Sequence, residues 1–406
     1  MKKLPFSILF LLVSIFSFSQ KNSASNSINS FSFKVFEQVY SANENCFYSP
    51  YSIFGALSLT YEGAENKTKL EMAKVLEINS GDKTSEDFLK VNNSLRSSKD
   101  FKLLTANSIW LQNSFKLKKS YKKISSDYYD ATTENVDFID ETSRENARNE
   151  INKWVEKQTN NNIKDFIKKG ILTESTAMVL INAVYFNALW KNDFSSSEIS
   201  FEDFIAASGD SIHCEMMNTY LNTKYYQDEE IQAIEVPYEN NGASMLILLP
   251  KKSTENIFKE VDGRYYSEII TSLEAKNVKL SIPKFKLSVN YELSDVMKNL
   301  GMKSAFSREA DFSGITGSKD LIVSNILHQS VIDVSEKGTE ASSTTAVISM
   351  RSTVVNKDIP IIFKADRPFL FIIKENITNA ILFMGYLTIP TKAKKNVEIQ
   401  KPQNRE

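Results

Sequence analysis

Any acid–base or nucleophilic chemistry in this chain would have to be assembled from two histidines, His213 and His328, and two cysteines, Cys46 and Cys214. His213 and Cys214 are adjacent, and on a strand adjacent side chains point to opposite faces, so they cannot act as a Cys–His pair. A Ser–His–Asp site would have to use His328, and no Gly-x-Ser-x-Gly elbow is present. His-Glu-x-x-His, Cys-x-x-Cys, Gly-x-Gly-x-x-Gly and phosphate-loop patterns are missing too. An enzyme is therefore the weaker class of reading, with no catalytic residue, metal or cofactor to name.

The stretch that stands out instead is a run of small residues that can live as an extended loop or as a strand. Residues Glu336 to Pro360 read EKGTEASSTTAVISMRSTVVNKDIP. Read with period two, Thr339, Ala341, Ser343, Thr345, Val347 and Ser349 form a small uncharged face. Glu340, Ser342, Thr344, Ala346, Ile348 and Met350 form the other. The first face can enter a packed sheet without burying a charge. Beyond it stand Arg351, Ser352 and Thr353. Arg351 is the only basic residue between Lys337 and Lys357.

A Ser/Thr-rich linker is the ordinary meaning of such composition. Against it, the remaining residues read as buried strands (Pro360-IIF, Phe369-LFIIK, Ala380-ILFMGYL) and are too few for a domain of their own. The run is then a long loop between two strands of one body, and such loops are more often functional than not.

The elements that must position this loop can be read in order. Phe33, Phe36, Val39 and Tyr40 have helical spacing. FYSPYSIFGALSLTYEGAENKT is a helix apolar on most faces and hence central. Thr68 with Glu71, and Thr142 with Glu145, have capping-box spacing. The second box would start a helix with Ile151, Trp154 and Val155 on one face. Ala106-NSIWLQ, Met178-VLINAVYFNALWK, Glu235-VPY, Ala243-SMLILLPK, Lys279-LSIPKFKL and Leu321-IVSNILHQSVIDV read as strands. Tyr291-ELSDVMKNLG reads as a helix closed by Gly301.

EKGTEASSTTAV resembles the hinge of the reactive-centre loop of serpins, and DRPFLFIIKENITNAILFMGYLTIP resembles their C-terminal signature. The similarity runs over roughly residues 27–390. It implies an α+β, single-domain fold with three β-sheets, about eight or nine helices and an exposed loop over about 338–359. It also implies the mechanism. A target serine protease attacks the loop and forms an acyl-enzyme, and residues 339 onward then join the large sheet as a new central strand. Counting from Gly338 as the family does puts the reactive bond at Ser352–Thr353, with Arg351–Ser352 as the alternative; on that reading Ser352 suits an elastase-like pocket, Arg351 a trypsin-like pocket with a buried carboxylate, and Met350 is a weaker third site. The hinge is then Glu336, Gly338, Thr339, Glu340, Ala341, Ser342, Ser343, Thr344 and Thr345. The resemblance places His328 beside Ser49, Ser52 and Asn182 in a shutter cluster under the point where the sheet opens. It puts Trp190 and Lys284 near the loop's start, with Lys284 paired to Glu336. The helix carrying Trp154 is expected to lie across the large sheet. Serpins that carry ligands without inhibiting often have charged or bulky hinge residues. The Ala341–Thr344 hinge favours inhibition over that alternative.

Composition agrees with one soluble body. Net charge is −1 and 42% of residues are hydrophobic, so no nucleic-acid partner is expected. Lys116, Lys118, Lys119, Lys122 and Lys123 read as a solvated helix start. A polyanion site is the minority reading, and these residues do not match the helix used by heparin-binding serpins. Residues 1–19 read as a signal peptide cleaved near Ser19–Gln20: Lys2 and Lys3, a short apolar core from Leu4 to Phe18, then small residues. That core is too short for a membrane span. Residues 20–28 are expected to be loose, 29–390 to be the serpin domain, and 391–406 a polar tail. Cys46 and Cys214 are taken as free, and the protein as a secreted monomer.

Overall fold

The computed structural model describes residues 23–79, 81–194, 198–252, 257–339 and 359–392. Its centre is the helix Pro50–Glu62, buried at every position from Pro50 to Thr60. Ser49 caps it, its Oγ accepting from the Ser52 amide, and Pro50 occupies the first turn, where a missing N–H costs nothing. Nine α-helices lie among the described residues.

Strands from both ends of the chain enclose that helix. One sheet has six strands in the order Phe285–Glu292, Asn325–Ser335, Gly338–Thr339, Met178–Leu189, Lys102–Gln112 and Thr132–Val136. The other has nine strands, in which two of the three sheets implied by the resemblance run on into one ladder. The reason is the length of Ser211–Gln227. Its first part pairs with Ile199–Ile205 and Glu274–Pro283, while Tyr225–Gln227 alone reach Ile231–Pro237 and join the halves. Both final strands, Phe369–Glu375 and Ile381–Leu387, are buried throughout, as their apolar runs require.

The helix Glu141–Gln158 lies against the outer face of the six-stranded sheet. Ala147, Ile151 and Val155 pack with Trp110, Val179, Ile181, Leu327 and Val331, and Trp154 meets the Trp110 ring edge-on at 6.2 Å.

Several local expectations are corrected. Neither capping box forms. The second helix is capped by Asp140, whose carboxylate accepts from the Ser143 amide at 2.8 Å, while Glu145 pairs with Arg148. In the first, Asn66–Leu76, Thr68 Oγ1 accepts from the Asp311 amide and Glu71 accepts from Ser304. In the first helix the side chains with capping spacing are taken by tertiary partners; in the second the cap falls two residues earlier and Glu145 turns to Arg148 of its own helix. The first helix begins at Ser23, so residues 23–28 are ordered and not loose. Ala24 and Ile28 are buried there. The single strand read at Lys279–Leu287 is two strands in different sheets, Glu274–Pro283 and Phe285–Glu292, broken at Lys284 after a proline that has no amide to donate. Helix Ser294–Leu300 does end at Gly301, at φ +120°, but Tyr291 and Glu292 belong to the preceding strand.

The cap assignment is testable. Asp140→Ala should cost about 0.5–2 kcal/mol in urea unfolding, and Thr142→Ala should stay within about 0.5 kcal/mol. Equal losses would return the cap to Thr142.

Candidate functional site

The two central strands of the six-stranded sheet, Met178–Leu189 and Asn325–Ser335, run parallel. They are hydrogen-bonded to each other from Val179/Asn325 up to Tyr185/Val331. Above that level they part, and Gly338–Thr339 sits between them, antiparallel to both. Thr339 pairs with Ala188 on one side and Val334 on the other. The sheet is thus closed along most of its length and open at one end, with the start of the loop in the opening.

Gly338 is required there. Its φ is +152°, and a Cβ would come within 2.1 Å of the Ala188 carbonyl oxygen. Thr339 is 0% exposed, and its hydroxyl meets the Tyr238 hydroxyl at 2.8 Å. Tyr238 stacks on Trp190 with ring centroids 4.4 Å apart. Trp190 holds the turn before the hinge twice: its indole N–H donates to Ser335 O and its amide to Lys337 O, both at 2.9 Å. The Phe194 amide donates to Glu336 O. Beside this turn, Lys284 Nζ lies 2.5 Å from Glu336 and 2.6 Å from Glu215. Burial opposes its charge, yet bonds from both carboxylates hold its pKa above the usual lysine value.

Below the opening lies a buried polar cluster. His328 and Asn182 face each other across the parallel pair. The Ser49 amide donates to His328 Nε2 at 3.1 Å, so Nδ1 carries the proton and donates to Asn182 Oδ1. Asn182 Nδ2 donates to Ser52 Oγ at 2.5 Å and to Asn107 Oδ1. Ser49 Oγ donates to Leu382 O. Burial pushes the His328 pKa down to about 3, so the ring is neutral and both nitrogens are satisfied. It is a connector, not a proton-transfer group.

The structure therefore brings Ser49, Ser52, Asn182 and His328 into one cluster and Trp190, Lys284, Glu336, Gly338 and Thr339 into another. Glu340, Ala341, Ser342, Ser343, Thr344, Thr345, Arg351, Ser352 and Thr353 lie outside the described residues, as does segment 1–19. Sequence reasoning missed Asn107, Tyr238 and Glu215. Asn107 had a signal, a polar residue in the otherwise apolar strand Ala106-NSIWLQ. Tyr238 and Glu215 had none, since their roles depend on strands far apart in sequence.

His213 and Cys214 do point to opposite faces, one exposed and one buried. Burial pushes the Cys46 thiol up to about 12. Burial, with Glu202, Asp203 and Glu215 adding to it, pushes Cys214 up to about 11. Both thiols are inert and unpaired. In the basic cluster, Lys118 donates to Ser313 O, Lys122 pairs with Glu134 and Lys123 with Asp127. Among the described residues no group of three His, Cys, Asp or Glu could hold a metal, and no helix is long and apolar enough to cross a membrane.

Comparison with known proteins now has a geometry to meet. The family model described as serpin (serine protease inhibitor) matches residues 26–390. An uncharacterized serpin-like protein of Thermococcus kodakarensis is 37% identical over 378 residues, covering 91% of this chain and 87% of that protein. Plasminogen activator inhibitor 2, macrophage, of Mus musculus is 32% identical, covering 89% and 98%. The crystal structure of uncleaved ovalbumin superposes with a TM-score of 0.83 at 28% identity, covering 91% of this chain and all of ovalbumin. A sheet parted over a small-residue hinge, the polar cluster beneath it and a family match across the whole body make this chain a member of the serpin family.

Proposed function

We propose that the chain is a secreted suicide inhibitor of serine proteases, and of cysteine proteases that accept the same loop. The observation that carries this reading is the seat of Thr339. Val334 stands to Ala188 as Val331 stands to Tyr185, three residues further along each strand. The flanking strands are already in register for a guest, so they need only move apart and need not slide. Continuing that register brings residue 345 level with Asn182 and His328, and residue 348 level with Val179 and Asn325. Thr345 then presents a hydroxyl where the His328–Asn182 hydrogen bond has to break, so opening the sheet leaves no buried polar group orphaned.

The protease cuts the loop and is held as an acyl-enzyme. Insertion of residues from Thr339 to Ser352, at roughly 3.3 Å each, carries it about 45 Å and distorts it before water can release it. The loop gains two ladders in place of one parallel pairing, at about 1 kcal/mol net per bond before entropy. The uncut protein is accordingly trapped kinetically. Export through a signal peptide cleaved near Ser19–Gln20 places it among extracellular or periplasmic proteases, where it acts as a monomer.

Incubation with trypsin-like and elastase-like proteases tests this reading on a denaturing gel. A complex that survives detergent supports it. A cut without a complex turns the reading to a substrate-like or carrier serpin.

Thr339→Arg should convert inhibition into plain cleavage. The side chain is fully enclosed, and an unpaired charge there costs several kcal/mol. Insertion slows and deacylation wins. Unchanged trapping by this variant would mean that position 339 is not the leading residue of the inserting strand.

The reactive bond is read from the mass of the C-terminal fragment. With an elastase-like enzyme it should begin at Thr353. With a trypsin-like enzyme it should begin at Ser352, because a guanidinium–carboxylate pair outweighs the contacts of a serine. Arg351→Ala should abolish only the second activity. One start site for both enzymes would sink the two-register loop.

A further inference from the structure

The chain does not stop at its last strand. After Ile381–Leu387 it is led across the molecule by a series of fixed contacts. Asn45 Oδ1 accepts from the amides of Thr388 and Ile389, and Asn45 Nδ2 donates to Ile389 O. Thr391 Oγ1 then accepts from the Lys286 amide at 3.1 Å, on the edge strand of the six-stranded sheet. Lys392 forms an antiparallel bridge with Cys214, in the nine-stranded sheet. Fourteen residues, 393–406, follow.

Cys214 marks a change of neighbour. On one side Ser211–Gln227 is paired with Ile199–Ile205 from Ser211 onward. On the other, pairing with Glu274–Pro283 begins only at Met216, and the Lys284 amide donates to Glu215 O. Lys392 takes the next place, at Cys214. Continuing antiparallel from there, residue 393 falls level with His213, 394 with Ile212 and 395 with Ser211. Those three positions have no strand partner on this edge among the described residues. Glu202, Asp203 and Glu215 lie around Cys214, where Glu202 is paired with Lys364, Glu215 with Lys284 and Asp203 with His213, and Asp210 closes the hairpin. The segment that arrives is Ala393-Lys394-Lys395-Asn396.

We propose that residues 393–396 dock as an added antiparallel strand on the Ser211–His213 edge, and that this strand braces the mouth of the six-stranded sheet. Backbone pairing supplies the register, since Lys392, the residue before this segment, is already bridged antiparallel to Cys214. Its effect on the mouth follows from Lys284. That residue stands at the break between the two sheets and grips Glu336. Lys286 and Cys214, on either side of it, are the points to which the tail is tied. A strand beyond Lys392 keeps those two ties from fraying, and so steadies the pivot of the hinge turn.

Hydrogen exchange on the whole uncut protein tests the docking without any protease, so its outcome is independent of the inhibitor reading. Truncation after Lys392 should speed exchange of the peptide covering residues 211–215 by about tenfold or more, with a smaller gain over 284–286. Truncation after Asn396 should leave both as in the full chain. Ala393→Pro, which removes one donor from outside the folded body, should reproduce the first truncation. Unchanged exchange at 211–215 after removal of 393–406 overturns the proposal. A gain on truncation that Ala393→Pro fails to reproduce overturns strand pairing as its basis.

Discussion

The structure depends on one pairing that is weaker than what could replace it. Met178–Leu189 and Asn325–Ser335 lie side by side in parallel at the centre of the six-stranded sheet. A strand inserted between them would be antiparallel to both, as Gly338–Thr339 already is. Parallel pairing is slightly less stable per residue than antiparallel, and one ladder is less than two. On the proposed mechanism the folded chain then sits above a lower state reached when the cut loop inserts. What would hold it there is the loop's connection at both ends: an uncut loop must return to Ile361–Lys364, which pairs in the nine-stranded sheet, and cutting removes that tether.

Opening of this sheet, as the proposed mechanism requires, calls for an interior that tolerates being parted. A purely apolar seam would close well, but its side chains interdigitate and would resist lateral separation. Here the seam is crossed by the His328–Asn182 hydrogen bond, backed by Ser49, Ser52 and Asn107. Each member has several donors or acceptors, so partners can be exchanged rather than lost. Keeping His328 neutral is part of this: a charged ring at full burial would need a fixed counter-charge and would lock the seam.

Much of this was legible in the sequence, and the limits are physical. Continuous apolar runs identified the buried strands, because that signal is local. The cluster of His328, Asn182 and Ser49 was legible only through the family resemblance, since these residues come together only in the fold. Capping failed at Thr68 and Thr142 because spacing does not reveal a competing partner such as the Asp311 amide. The break at Lys284 was hidden because Pro283 interrupts a pattern that stays strand-like on both sides. The first helix was cut short because Ser and Asn residues around Ala24 and Ile28 look like a polar leader until the helix's buried face is known.

The mouth of the sheet shows how the opening is aimed. Charge alone would be a poor guide, since a partly exposed pair such as Lys284–Glu336 contributes little and is screened by salt. Shape does more. Gly338 passes where no side chain fits, so the chain can enter at that residue and in that register only. Trp190 and Phe194 grip the carbonyls of Ser335, Glu336 and Lys337, which fixes the direction of the turn. Tyr238 then meets the first hydroxyl that enters. Each contact is a single hydrogen bond or stacked ring, worth about 1 kcal/mol. Together they hold Thr339 between Val334 and Ala188, so that insertion as proposed would extend a strand already nucleated rather than search for one.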